Sequence, residues 1–235
     1  MKTTKIDWCD CTINPVIGCK NGCPYCYAER INKRFGFIKD WREPQFFPER
    51  LKQLNSKTPK TIFMDSMSDV GWWEREWGAK TFEAMSKNKQ HAYIFLTKAH
   101  TYPCGLMEIW SSRNAEIPIY MRNLQYIFLG KSVTRQKEFS IMKHYDFLSI
   151  EPLLEPLDLS AIHHSLYIKQ VIIGAETGNR KGKVIPKKEW VLDIVKHCDE
   201  ANIKVFMKES LREIMGGDFR QDELLWQKYV KEQKQ

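Results

Sequence analysis

No apolar run in this sequence is long enough to cross a membrane. The longest, around Tyr126–Gly130 and Gln170–Ala175, fall far short of the roughly 20 residues a spanning helix needs. The segment Met1–Trp8 carries two lysines but no apolar stretch behind them, so no secretory leader is expected there and the chain is placed in the cytoplasm. There is no internal repeat and no low-complexity segment. Acidic charge is in deficit: 37 Lys and Arg face 29 Asp and Glu, a net +8. That balance favours anionic partners such as nucleic acid or nucleotides, although many basic proteins bind nothing of the kind. Seven cysteines, an odd number where no export signal is expected, argue against a disulfide framework.

What is present is ordinary in bulk and uneven in detail. Of 235 residues, 43% are hydrophobic and 28% charged, the composition of a globular protein. Short runs rich in Ile, Val, Phe and Leu recur at Thr61–Met64, Ala92–Leu96, Tyr126–Leu129, Phe147–Ile150, Val171–Ile173 and Lys204–Met207. A further strand is expected in Lys5–Trp8 or Thr12–Val16. Helical patterns fall at Cys26–Phe35, at Glu76–Lys87 with Trp77, Phe82 and Met85, and at Lys187–Asn202. The last carries Trp190, Ile194, Val195 and Cys198 on one stripe. Strands alternating with helices predict an α/β fold with a parallel sheet, a full or partial β/α barrel formed as one domain over residues 1–235. A short helical tail is expected from about residue 209, fraying over Lys228–Gln235.

Ligands of such folds gather at the C-terminal ends of the strands. The polar residues there are Asp65, Ser66, Ser68 and Asp69, then Thr97, Lys98 and His100, then Lys131, Ser132 and Thr134. Glu151, then Glu176 and Thr177, then Lys208 and Ser210 follow the later strands. Glu151 and Glu176 are candidates for binding a substrate or for acid–base work, and Lys208 for holding an anionic group; salt bridges between these same residues are the competing reading.

Five of the seven cysteines lie between Cys9 and Cys26. Cys19, Cys23 and Cys26 form a C-x3-C-x2-C loop at about residues 17–27. Three thiolates can hold three irons of a [4Fe–4S] cluster and leave the fourth open to a small molecule. Gly18 and Gly22 let the backbone curl around the inorganic core. Zinc competes, with Cys9 or Cys11 as the fourth ligand. Cys198 reads as core packing and Cys104 as incidental.

With Tyr25 as the aromatic before the last cysteine, the loop resembles the signature of the radical S-adenosylmethionine superfamily. Further stretches resemble a phage-associated family of that superfamily, related to spore photoproduct lyase. They are Asn14–Cys19, Ser66–Asp69, Leu96–Lys98, Gly130–Val133, Ser149–Leu154, Ile173–Gly178 and Phe206–Lys208. The resemblance implies a partial or full barrel, a [4Fe–4S] cluster on Cys19, Cys23 and Cys26, and S-adenosyl-L-methionine chelated at the open iron. One electron from the cluster would then yield a 5′-deoxyadenosyl radical that abstracts hydrogen from a substrate. It implies that Ser66, Ser68 and Asp69 meet the amino group of the cofactor, although Ser-Met-Ser-Asp replaces the usual Gly-Gly-Glu. Thr97, Lys98 and Ser132 would meet its carboxylate and ribose, Gly174 and Glu176 would lie beside its adenosine, and Tyr25 would position adenine. Cys9 or Cys11 could donate a hydrogen atom to a product radical. A flavodoxin- or ferredoxin-like electron donor and a partner protein are implied. The substrate expected is a nucleic-acid base, nucleotide or related anion. The alternatives are a radical enzyme acting on a peptide or amino acid, and a zinc-stabilised nucleic-acid-binding protein without catalysis.

Overall fold

The computed structural model describes residues 4–99, 125–139 and 145–235. His100 and Cys104 lie outside the described residues. The chain divides into two compact units, residues 1–128 with 229–235, and residues 129–228.

In the first unit, β1 (Cys11–Thr12), β4 (Thr61–Phe63) and β5 (Ala92–Thr97) pair in parallel, in that order. A separate antiparallel pair joins β2 (Val16–Ile17) to β3 (Gln45–Phe46). Helix α1 (Tyr27–Phe35) follows the cysteine loop, and α2 (Arg75–Ser86) connects β4 to β5. The parallel strands are covered on both faces, which is why they read as unbroken apolar runs. Ile62, Met64, Tyr93, Ile94 and Phe95 are fully buried, and Trp8 packs on Phe63 at 4.7 Å between ring centroids.

β6 (Ile127–Ser132) starts in the first unit and runs on into the second. There it pairs in parallel with β7 (Phe147–Ile150), followed by β8 (Gln170–Ile173) and β9 (Lys204–Met207). The crossover from β8 to β9 is α3 (Lys188–Glu200). Short helix α4 (Arg212–Met215) follows, then α5 (Leu225–Glu232), which crosses back into the first unit at Tyr229. The core of the second unit includes Leu148, Ile150, Val171, Ile172 and Val205, with Phe147 against Trp226 at 4.9 Å.

The expected parallel α/β class is therefore observed within each unit, and no described helix is long and apolar enough to cross a membrane. Two details differ from the sequence reading. The buried stripe of α3 is Val191, Ile194 and Cys198, while Trp190 and Val195 are half-buried. The tail expected to fray is helical to Glu232, because Trp226 and Val230 anchor it in apolar surroundings.

Asp146 precedes β7, and one of its carboxylate oxygens accepts the Leu129 backbone N–H at 2.9 Å. Burial raises its pKa from 3.8 to about 6, the hydrogen bond opposing only part of the effect. The folded state thus holds this proton across a pH range in which the unfolded chain has released it. Stability should fall as pH rises from about 4 to about 6, by an amount bounded at roughly 3 kcal/mol. Asp146→Asn keeps the acceptor and removes the charge. The difference between wild type and this variant in urea denaturation should open over that window, with the variant more stable above it.

Candidate metal and cofactor site

The loop between β2 and α1 is fixed by its backbone. Gly18 donates to the Met67 carbonyl at 3.0 Å and Cys19 to that of Trp41 at 2.8 Å, while Cys26 donates to Cys23 at 3.1 Å. Gly18 has φ +110°, and a Cβ there would meet the Pro44 Cα at 2.7 Å, so backbone approaches backbone where no side chain fits. Gly18→Ala should cost about 2 kcal/mol or more and shift the chain bearing Cys19. Thermal unfolding and iron retention after anaerobic loading would read both effects. Gly22 is also left-handed, at φ +71°. Arg42 braces the loop from outside, donating to the Cys19 carbonyl at 3.4 Å and approaching Glu29 at 3.8 Å.

The sulfurs accept backbone N–H groups. Asn21 donates to Cys19 Sγ at 3.5 Å, and Glu29 donates to Cys26 Sγ at 3.3 Å, which makes Cys26 the N-cap of α1. Such bonds favour thiolates, as does a helix N-terminus. Burial outweighs them in the bare protein. It pushes the Cys19 thiol up to about 12, with the Asn21 N–H pulling down and Asp69, Cys23 and Cys26 adding to the rise. Burial likewise raises Cys26 against the Glu29 N–H. A metal that binds sulfur replaces those protons and removes the conflict.

The three thiols differ in spread from the ligands of a single closed ion. Four ligands at about 2.3 Å from one zinc stand about 3.8 Å apart. Among the described residues, the one group of three or more His, Cys, Asp or Glu side chains whose ligand atoms all lie within 4.8 Å of one another contains no cysteine. Cys19, Cys23 and Cys26 thus do not all bring their sulfurs within 4.8 Å of one another. Cys11 is buried in β1, its thiol directed at the Thr61 carbonyl at 4.0 Å, and burial raises its pKa. Cys9 is half-buried in the turn before β1.

Asp69 ties the loop to the strand ends. One carboxylate oxygen accepts from the Gly71 N–H at 2.8 Å and from the Thr97 hydroxyl at 2.7 Å; the other accepts from the Asn21 amide at 2.5 Å and from the Lys98 N–H at 2.8 Å. A carboxylate offers about four lone-pair positions, and here each has a donor. The Asn21 carbonyl oxygen in turn accepts from Trp72 Nε1 at 2.6 Å. Asp69 therefore organises the site, and Thr97 spends its hydroxyl on Asp69 and on the Ala99 N–H at 3.0 Å. Lys98 Nζ lies 5.6 Å from the centre of the Tyr25 ring. Ser66 donates to the Asn14 side chain at 3.0 Å, and Ser68 accepts from Trp73 Nε1 at 3.0 Å. Behind them Asp65 is fully buried on the Val70 and Leu96 N–H groups, its pKa driven well up by burial and then by Asp69.

In the second unit the predicted residues form two ion pairs. Lys208 meets Glu151 at 2.8 Å, and both lean over Gly174, where a Cβ would sit 2.9 Å from Lys208 Cδ and 3.3 Å from Glu151 Cγ. Glu176 is gripped in bidentate fashion by Arg180, at 2.5 and 2.8 Å. The salt-bridge reading weighed for Glu151 and Lys208 is the observed contact, and Glu176 has Arg180 where a lysine was expected. Ser132 is buried at the end of β6.

The contacts made here by Asn14, Asn21, Trp72 and Arg180 are not foreseen from the sequence. Asn14-Pro15 and Asn21-Gly22 are turn dipeptides, and that signal could have marked both asparagines. The family model described as Protein of unknown function (DUF5131) matches residues 3–228, nearly the whole chain. The chain belongs to the DUF5131 family. The match takes in the cysteine loop, the Asp69 network and both ion pairs of this DUF5131 protein. No curated protein and no solved structure matches it.

Proposed function

We propose that this DUF5131 protein is a radical S-adenosylmethionine enzyme, with a [4Fe–4S] cluster on Cys19, Cys23 and Cys26 and a partial β/α barrel as its frame. The supporting observation is the cysteine loop: three thiols, two of them accepting backbone N–H groups, not gathered within 4.8 Å as around one ion. When bound, the cluster supplies one electron to S-adenosyl-L-methionine and so generates the radical that takes hydrogen from a substrate. The protein's own residues shape and exclude. Gly18 and Cys26 set the curl of the loop, and Asn21 transmits the position of Asp69 to it. With Asp69 filled, the cofactor's amino group falls to backbone carbonyls and the hydroxyls of Ser66 and Ser68. Lys98 beside Tyr25 offers positive charge to the cofactor carboxylate. Glu151 and Lys208 hold each other's charge and can exchange that partner for an amine or an anion of the substrate.

The net charge of +8 supports a nucleic-acid base, nucleotide or related anion as the substrate. Electrons come from a flavodoxin- or ferredoxin-like protein. The zinc-protein reading has less support, since it requires thiols close around one ion. Anaerobic incubation with dithionite, S-adenosyl-L-methionine and deuterated nucleotides or oligonucleotides tests the substrate class. Deuterium should enter 5′-deoxyadenosine from these compounds; transfer from labelled peptides instead would overturn the assignment.

A further inference from the structure

Remote in sequence from the cysteine loop, the second unit carries a group of another kind. His163 belongs to the 3-10 turn Ser160–His164, while His197 and Glu200 stand three residues apart in the last turn of α3. These are the side chains whose ligand atoms lie within 4.8 Å of one another. His163 Nε2 is 3.4 Å from Glu200 Oε2, and His197 Nδ1 is 3.7 Å from the same oxygen. Both distances are too long for a good N–H···O hydrogen bond, which closes to about 2.7–3.2 Å. They are close to the edge of a coordination tetrahedron, about 3.3–3.6 Å for ligands at 2.0–2.2 Å from zinc.

Two further observations point the same way. His197 Nδ1 is buried and makes no hydrogen bond, an uncompensated polar atom that a metal would satisfy. The other nitrogen of that ring, Nε2, faces Asp158 Oδ1 at 3.9 Å. Asp158 is itself fixed, accepting the Ser160 N–H at 2.8 Å. At that separation the carboxylate orients the ring through a bridging water, as the outer partners of ligand histidines can.

We propose that His163 Nε2, His197 Nδ1 and Glu200 Oε2 form a binding site for a divalent transition metal of the zinc type, with Asp158 orienting His197 and water completing the shell. Two imidazoles with one carboxylate suit zinc, cobalt or nickel and disfavour magnesium and calcium, which take oxygen ligands. The ion joins the Ser160–His164 turn to the end of α3. It is separate from the cluster cysteines and does not depend on the radical proposal.

Titration of the full chain carrying Cys19→Ser, Cys23→Ser and Cys26→Ser tests this with Zn²⁺ by calorimetry and with Co²⁺ by visible absorption. One equivalent should bind, with cobalt bands free of thiolate charge transfer, and Zn²⁺ should raise the melting temperature. His163→Gln and His197→Gln should each weaken binding by about 100-fold, and Asp158→Asn by about 10-fold. Circular dichroism identifies any variant that fails to fold, and for such a variant Glu200→Gln takes its place. Failure of the folded triple-serine chain to bind Zn²⁺, unchanged affinity in folded histidine variants, or a thiolate band with Co²⁺ would each overturn the site.

Discussion

Asp69→Ala is expected to destabilise the first unit by about 4 kcal/mol and to loosen the cysteine loop. Four donors lose their acceptor together: the N–H groups of Gly71 and Lys98, the Thr97 hydroxyl and the Asn21 amide. A buried donor left unmade costs about 1–3 kcal/mol, and water entering the vacated space recovers part of the sum. Asp69→Asn keeps the volume but turns an amide N–H₂ toward two of the donors, so its cost should be about half as large. Urea denaturation followed by tryptophan fluorescence would measure both. The distinguishing readout is iron retention. Asn21 loses its anchor in either variant, so both should release iron faster than wild type. A variant that is destabilised but holds iron as firmly would show that Asp69 supports the strands and not the loop.

The second large effect concerns the thiols. Cys23→Ala, prepared and loaded without oxygen, should lose the brown colour of the cluster and release no 5′-deoxyadenosine. Two thiolates from the loop cannot hold a cubane whose structure calls for three. Cys198→Ala is the control. Cys198 is wholly buried on α3, its pKa raised to about 12 by burial first and by Asp199 second, and it packs as a small apolar residue. That variant should cost stability, on the order of 1 kcal/mol, and leave iron content unchanged. Cys11→Ala serves the same purpose within the first unit, unless its thiol donates hydrogen to a product radical. In that event cleavage of the cofactor would persist while product formation failed.

The strands were legible because burial on both faces writes a continuous apolar run. Phe147–Ile150 and Lys204–Met207 are observed with the bounds read from sequence. The start of α1 was legible because a cysteine that caps a helix and a proline two residues before it leave a local mark. What local pattern does not carry is pairing across distance. Asn21 and Asp69 are 48 residues apart, and neither the spacing of the cysteines nor the Ser-Met-Ser-Asp stretch says that one will bind the other. For the same reason Asp69 read as a free carboxylate for a ligand, when its lone pairs are occupied by donors from three chain segments. A salt bridge from Glu176 to a lysine such as Lys208 is the sequence expectation; the partner observed is Arg180, four residues along the loop. On α3 the expected Ile194 and Cys198 are buried, and Val191 fills the core where Trp190 was expected, because a bulky aromatic at the start of a helix lies along its flank while a β-branched neighbour packs inward.

The most direct test of the central claim is electron paramagnetic resonance of the anaerobically reconstituted, dithionite-reduced full chain, recorded before and after S-adenosyl-L-methionine is added. A signal of a reduced [4Fe–4S] cluster that changes on addition, with 5′-deoxyadenosine appearing in the same tube, is the predicted result. A colourless protein holding one zinc on its cysteines, or a cluster whose signal ignores the added cofactor, would contradict it.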